Sequence, residues 1–400
     1  MHAAAFAARF HALDAFLTEH QHLWRPRPFV ERRLPWEADH PELAAWLRAR
    51  SLEQAEAVHT APQNLVAPEP FATLARRSAE LSQVDERPEA TLERPPRRQE
   101  VDIPGRKWLQ IEAFGRTLAF ARPVQRWVDW CAGKGHLARY LAGPHLPALC
   151  LELDAALVAT GEQLSRRAGV AVRHQQADVL QPQAATAIAA EDTPVALHAC
   201  GDLHTRLLRV TVAQGCQQLA LVPCCYDRIA AAVYRPLSHA AAASALRLER
   251  EDLRLSLCET VTSGQRVRRD RDLSMARRLG FDLLQRELSG HDAYLNTPPL
   301  PSHWLRQPFA AFGVELAHRK GLALPPEVDW PSWERRGFQR LAEVRNLELL
   351  RGLFRRPLEL WLVLDQALFL QEQCYEVQLG TFCPSSLTPR NLLLTAEKSA

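Results

Sequence analysis

The feature that most constrains this chain is one short stretch, Val128-Asp129-Trp130-Cys131-Ala132-Gly133-Lys134-Gly135-His136-Leu137. Trp127, Val128 and Trp130 form an apolar run that carries an acid into a glycine-spaced turn, after which Leu137, Tyr140 and Leu141 recur at helical spacing. The pattern predicts strand, tight loop and helix, which aims backbone N–H groups and a helix N-terminus at a nucleotide-like ligand. Gly133 and Gly135 admit positive φ and the close approach of ligand atoms that a Cβ would block. A lone G-x-G is weak evidence, so the weight falls on the residues beyond it.

Beyond the turn the chain alternates regularly. Ala148–Leu153 (ALCLEL) reads as a second strand ending in Glu152 and Asp154, and 157–167 as a helix. Val170–Arg173 reads as a third strand, followed by Ala177-Asp178-Val179. Pro194–Leu197 runs into His198-Ala199-Cys200-Gly201-Asp202-Leu203, and Gln218–Val222 into Pro223-Cys224-Cys225-Tyr226-Asp227. Strands alternating with helices predict an α/β doubly wound, mainly parallel sheet with helices on both faces. Such sheets bind ligands outside the carboxyl ends of their strands, near the topological switch. Asp129, Glu152, Asp178, His198 with Cys200, and Cys224 with Cys225 all stand at such ends. The acid about 20 residues beyond the glycine turn suits ribose hydroxyls, and Asp178 suits an adenine amino group.

The set of motifs resembles a known family. An acid and G-x-G after strand one, an acid after strand two and an Asp after strand three look like the Rossmann-like class I fold of S-adenosylmethionine-dependent methyltransferases. AGKGHLARYLA, LHACGDL and the Cys-Cys-Tyr after strand five are similar to a methyltransferase-like family with G-K-G, H-x-C-G-x-L and C-C-Y motifs. That group includes ribosomal RNA adenine dimethylase-like proteins, and the motifs also resemble those of the tRNA 2′-O-ribose methyltransferase of the acceptor stem. The resemblance covers roughly residues 104–230 and a tail with a Pro389-Arg390-Asn391 element before the last strand. It implies a cofactor, S-adenosylmethionine, lined by Asp129, Gly133, Lys134 and Gly135, with Glu152 on the ribose, Asp178 on the adenine, and His198 and Cys200 nearby. Cys131 stands where such enzymes commonly have their first loop glycine.

Methyl transfer needs little beyond positioning and an acceptor lone pair in line with the sulfonium. The candidates for that work are His198, Asp202, Cys225 and Tyr226. His198 reads as a general base or as a structural histidine bonding the loop. Asp202 reads as an acceptor-orienting acid or as the N-cap of the next helix. Tyr226 reads as a stacking platform for a base or as packing. Cys225 and its neighbours read as a nucleophile of the kind pyrimidine C5-methyltransferases use, or as inert thiols. A zinc or iron–sulfur site from Cys200, His198, Cys224 and Cys225 is a further alternative, but without C-x-x-C spacing no metal is expected.

Bulk properties bound the rest. Nine cysteines, an odd number without disulfide-like spacing, predict reduced thiols and a cytoplasmic protein. A net charge of +3 argues against a strongly basic nucleic-acid-binding field. Positive charge is nearly all Arg, with lysine only at Lys107, Lys134, Lys320 and Lys398. Helices are expected over 3–22, 41–58 and 70–84, a linker over 86–103, and a packing or basic helix within 103–120, where Arg106 and Lys107 precede Trp108, Ile111 and Phe114. The expected division is a helical region 1–85, a linker 86–103, a methyltransferase core 104–227, a helical insertion 228–355 for acceptor recognition and core completion over 356–400. Six arginines in 264–278 read as a phosphate-gripping surface or as a solvated, ion-paired face. The functional expectation is a methyltransferase acting on RNA, tRNA or rRNA, with no membrane partner. The alternatives are a protein or small-molecule methyltransferase and a non-catalytic cofactor- or RNA-binding module.

Overall fold

Some helix starts in this chain follow local capping chemistry. The computed structural model describes residues 3–89, 103–143, 145–257 and 264–399. The first helices are α1 (Ala3–Glu19), α2 (Gln21–Trp24), α3 (Pro41–Arg48), α4 (Leu52–Val58) and α5 (Phe71–Leu81). The single helix expected over 41–58 is two. Ser51 accepts from the Gln54 N–H at 3.1 Å while the Gln54 side chain accepts from the Ser51 N–H at 2.9 Å, and this reciprocal cap starts a new helix.

The sheet is built from β1 (Arg126–Trp130), β2 (Ala148–Glu152), β3 (Val172–Gln176), β4 (Asp192–Cys200), β5 (Gln218–Cys224), β6 (Tyr375–Thr381) and β7 (Leu392–Lys398), in the order β3-β2-β1-β4-β5-β7-β6. β1 to β5 are parallel; β7 runs antiparallel to both β5 and β6. Around the sheet lie α6 (Gly105–Arg116), α7 (His136–Ala142), α8 (Ala155–Ala168) and α9 (Asp202–Ala213), then the short α10 (His239–Ala243) and α11 (Arg250–Leu253). The remaining helices are α12 (Gln265–Ser289), α13 (Phe309–Lys320), α14 (Trp330–Gly352) and α15 (Arg355–Glu372). This is the Rossmann-like α/β architecture of class I methyltransferases. Its switch point falls between β1 and β4, where the chain leaves one half of the sheet for the other. Trp108, Ile111 and Phe114 of α6 are buried with Trp127, Leu137 and Val222, each contributing about 2 kcal/mol by leaving water. The stripe on α6 is therefore packing, as its spacing suggests. No helix of the described residues is long and apolar enough to cross a membrane.

The chain divides into two units with boundaries other than those expected. One comprises residues 1–18, 81–261 and 356–400; the other comprises 19–80 and 262–355. In the first unit, residues 228–257 are not part of an insertion but are tied to the core. The Tyr234 hydroxyl and the N–H groups of Leu237 and Ser238 donate to Asp365 of α15. α1 joins the same unit, its Asp14 accepting from Trp361 Nε1 at 2.8 Å. The expected linker begins as an edge element, with Arg87 N–H donating to Thr381 of β6 at 2.9 Å; residues 90–102 lie outside the described residues.

In the second unit, the N-terminal helices are held to α14 through backbone carbonyls. Arg340 donates to Pro28 and Glu31, Asn346 to Arg50 and Ser51, and Arg351 to Trp24. The arginine-rich start of α12 divides along its length. Arg277 pairs with Glu334 at 3.0 Å, Arg271 with Asp272 at 3.2 Å, and Arg278 donates to Thr297 and Pro298. Arg266, Arg268 and Arg269 are exposed. The ion-paired reading fits the later residues, and the exposed earlier ones suit either expectation.

Candidate functional site

The loop after β1 and the tip of β2 are drawn together by one carboxylate. Glu152 at the end of β2 accepts from the Gly133 N–H at 2.8 Å with one oxygen and from the Asp154 N–H at 3.0 Å with the other. That fixes the glycine loop against β2. A side chain built on Gly133 would meet nothing within 4 Å, so the space above its Cα is open. Gly135 differs from expectation. A Cβ there would lie 2.5 Å from the His174 ring and 2.9 Å from Cys150 Sγ, at a φ of +70°. Interior packing against β2 and β3 by itself requires glycine here.

The acids converge on Cys131. Burial, then the carboxylates of Glu152 and Asp129, then the Cys200 thiol and Asp178, push its thiol up to about 12. Asp129 itself is 3% exposed, and its carboxylate accepts from the Ala138 N–H of α7 at 3.2 Å. Burial raises it to about 7; that bond, Lys107 and Arg139 act in the opposite direction. Asp178, half-buried, accepts from the Leu180 N–H at 3.0 Å and from the Gln181 amide at 3.2 Å. Lys134 is half-buried and acts electrostatically on His136.

The tips of β1, β4 and β5 are bent by left-handed backbone. Cys131, His198 and Cys225 have φ of 61°, 67° and 44°. Such values are uncommon outside glycine, cost about 1–3 kcal/mol each, and cluster at functional sites. The register between β4 and β5 shifts between Leu197 and Ala199, so His198 is the extra residue of a bulge. His198 Nε2 lies 3.1 Å from Gln110 Oε1, which places its proton on Nε2 and leaves Nδ1 as an acceptor. Burial lowers His198 to about 4; Cys225 opposes this and Arg390 and Lys107 add to it. The imidazole is neutral at pH 7.

Cys200, Cys224 and Cys225 bring their Sγ atoms within 4.8 Å of one another, Cys200 and Cys224 being 3.5 Å apart. Within this trio the Cys225 thiol is pushed down by the thiols of Cys200 and Cys224 and then by Arg228 and Arg390. Cys200 and Cys225 are half-buried and Cys224 is buried. The trio is thus not wholly interior.

Two expected roles are corrected. Tyr226 is 1% exposed, its ring edge-on to His204 at 5.6 Å, so it packs and offers no face to a base. Asp202 is the first residue of α9 and not its cap; Gly201, at φ +50°, holds that position. The Asp202 carboxylate instead accepts from the Ala230 N–H at 2.7 Å, while the Asp202 N–H donates to the Arg228 carbonyl at 3.0 Å. It pins the loop after β5. Next to it, Asp202, Arg206, Arg209, Tyr234 and Arg235 line a cavity of about 530 Å³.

Several residues around the tips escape a motif search. Gln110 orients His198, and Lys107 acts on Asp129 and His198. Arg390 acts on His198 and Cys225. The only sequence signals were the Pro-Arg-Asn element and the basic start of α6. Arg106 ties these two together by donating to the carbonyls of Ser386 and Leu387 at 2.7 and 2.8 Å.

Residues 106–232 match a family model described as a methyltransferase domain. The match covers less than half of the chain. It spans β1 to β5 and all the strand tips just described. No curated protein sequence matches the chain. Among solved structures, the chain is similar to a geranyl diphosphate methyltransferase in complex with GPP and sinefungin, at 16% identity and a TM-score of 0.24, covering 28% of this chain and 44% of that one. It is similar to TrmN from Thermus thermophilus at 21% identity and 0.25, covering 31% and 41%. It is similar to YcgJ from Bacillus subtilis at 14% identity and 0.27, covering 73% and 99%. The chain thus spans less than half the length of the first two.

Proposed function

We propose that the chain is an S-adenosylmethionine-dependent methyltransferase that acts on RNA, tRNA or rRNA. The observation that carries the cofactor reading is the Glu152–Gly133 bond at the switch point, with open space above Gly133 and Asp129 and Asp178 around Cys131. These residues fit an adenosine-bearing cation. Carboxylate acceptors suit ribose hydroxyls and an adenine amino group, and acids suit a sulfonium. When bound, the cofactor supplies an electrophilic methyl group. The chain's own part is positioning. Glu152 holds the loop and keeps lone pairs for hydroxyl donors, and His198 presents a neutral Nδ1 acceptor at the tip of β4. Gln110 fixes the tautomer of that imidazole. A group lowered to about 4 is a weak base, so His198 serves by accepting a hydrogen bond more than by removing a proton at pH 7.

RNA is favoured as the acceptor by the cavity beside Asp202, where Arg206, Arg209 and Arg235 present guanidinium groups suited to phosphate. Isothermal calorimetry tests the cofactor. Binding is expected for the parent chain, and about tenfold to hundredfold weaker binding for Glu152→Ala, which loses charged acceptors. No binding by the parent chain would end the reading. Transfer of a labelled methyl group to total RNA against protein extract tests the acceptor, and label in protein alone would favour the second substrate class. The Cys225→Ala variant separates positioning from covalent attack. Undiminished transfer to RNA by that variant excludes Cys225 as the nucleophile.

A further inference from the structure

We infer that Cys200, Cys224 and Cys225 form a three-thiolate site for one soft divalent cation, zinc in the cell, with its fourth position open. The argument is geometric. A tetrahedral zinc with bonds of about 2.3 Å to sulfur places its ligands about 3.8 Å apart. The three Sγ atoms already lie within 4.8 Å of one another, and Cys200 and Cys224 are 3.5 Å apart. Little movement is needed to close them on an ion.

The backbone is arranged for this convergence. Cys200 and Cys224 are direct partners in the parallel register of β4 and β5, so their side chains leave the same face of the sheet. In a regular strand Cys225 would leave the opposite face. Its φ of 44° breaks the alternation, and its thiol rejoins the other two. A β-bulge at His198, just before Cys200, sets the register that makes Cys200 and Cys224 neighbours. Two unusual backbone conformations on adjacent strands therefore meet at one cluster of sulfurs.

Charge and ligand type select the ion. Three thiolates around a divalent cation leave one net negative charge, and Arg228 and Arg390 lie near enough to act on Cys225. Sulfur-rich sites take zinc in preference to magnesium or calcium, which require oxygen. No fourth His, Cys, Asp or Glu among the described residues joins the cluster. Cys200 and Cys225 are half-buried, so the remaining position opens on the side of those two residues, where water or a ligand atom completes it. The inference does not depend on methyl transfer.

The test uses the full-length chain purified under reducing conditions without chelator. Elemental analysis should give about one zinc per chain, and competition with a chromophoric chelator should give a dissociation constant below micromolar. The cobalt-substituted chain should show thiolate-to-cobalt charge-transfer absorption. Cys200→Ser, Cys224→Ser and Cys225→Ser should each weaken binding at least about a hundredfold, since each removes a direct ligand. Cys374→Ser, an exposed thiol elsewhere, should leave it unchanged. Circular dichroism of each variant identifies any that fail to fold, and Cys225→Ala supplies a second variant at the loop position. Binding weaker than micromolar in a chain with titratable reduced thiols would overturn the site. So would a cobalt spectrum indifferent to Cys225→Ser in the folded variant, or a Cys200–Cys224 disulfide that takes up no zinc after reduction.

Discussion

Asp365→Ala is expected to destabilise the first unit by about 4 kcal/mol, because it strands several buried donors at once. Asp365 is fully buried in α15. Its carboxylate accepts from the Tyr234 hydroxyl at 2.7 Å, the Leu237 N–H at 2.9 Å, the Ser238 N–H at 2.7 Å and the Ser238 hydroxyl at 2.7 Å. Burial pushes the carboxyl up, and these bonds pull it back. Alanine removes every acceptor and leaves a cavity as well. Asparagine should fall between, since its amide NH₂ would face groups that are themselves donors. Tyr234→Phe removes only one bond and should cost about 1 kcal/mol. Chemical denaturation of the four proteins checks the order, with alanine worst, then asparagine, then phenylalanine. Equal losses for alanine and phenylalanine would show that the backbone N–H groups find other partners. The functional consequence is specific, because Tyr234 and Leu237 also line the cavity beside Asp202.

The core was legible in the sequence because its signals are local. Acid, glycine spacing and the Leu137/Tyr140/Leu141 stripe fix β1, its turn and α7, and the four later apolar runs fix β2 to β5. The features that were not legible depended on residues distant in sequence. Asp202 carries the pattern of an N-cap, but the bulge at His198 and the turn at Gly201 move the helix start by one residue. Tyr226 follows a strand end like a stacking aromatic, yet His204 of α9 closes over its ring. Gly135 reads as a ligand contact, and its packing reason, His174 on another strand, is invisible in the sequence. The grouping of residues 19–80 with 262–355 has no periodic signature at all. It rests on Phe29 and Leu52 packing against the Leu279, Leu341 and Val344 cluster and on arginine and asparagine side chains reaching backbone carbonyls, which any surface arginine resembles in sequence. The three thiols are a similar case. Adjacent cysteines and a third 24 residues earlier lack metal-ligand spacing, and only the parallel register and the left-handed Cys225 bring them together.

Asp129→Asn is expected to make the chain more stable at pH 8 and to weaken its proposed cofactor binding. Buried between β1 and α7, Asp129 titrates near 7 in the folded chain against 3.8 ordinarily. Between those values the folded state holds a proton that the unfolded state has released. Stability is therefore fully present below about pH 4 and falls as pH rises towards 7, by up to about 1.4 kcal/mol per pH unit. The whole window is worth on the order of 4 kcal/mol. Asparagine is neutral throughout and its carbonyl can still accept from Ala138. Its advantage should be near zero at pH 4 and several kcal/mol at pH 8, measured by urea denaturation across that range. A difference independent of pH would show that the carboxylate is not desolvated as its burial implies. A buried acid poised near neutrality at a strand tip costs stability above pH 7 and suits a group whose ionised form is used. On the proposed function a sulfonium nearby favours that form, so cofactor binding at pH 6 should release a proton. Calorimetry in buffers of different ionisation enthalpy reads this directly. The release should vanish in the asparagine variant, and its persistence there would assign the proton to another group.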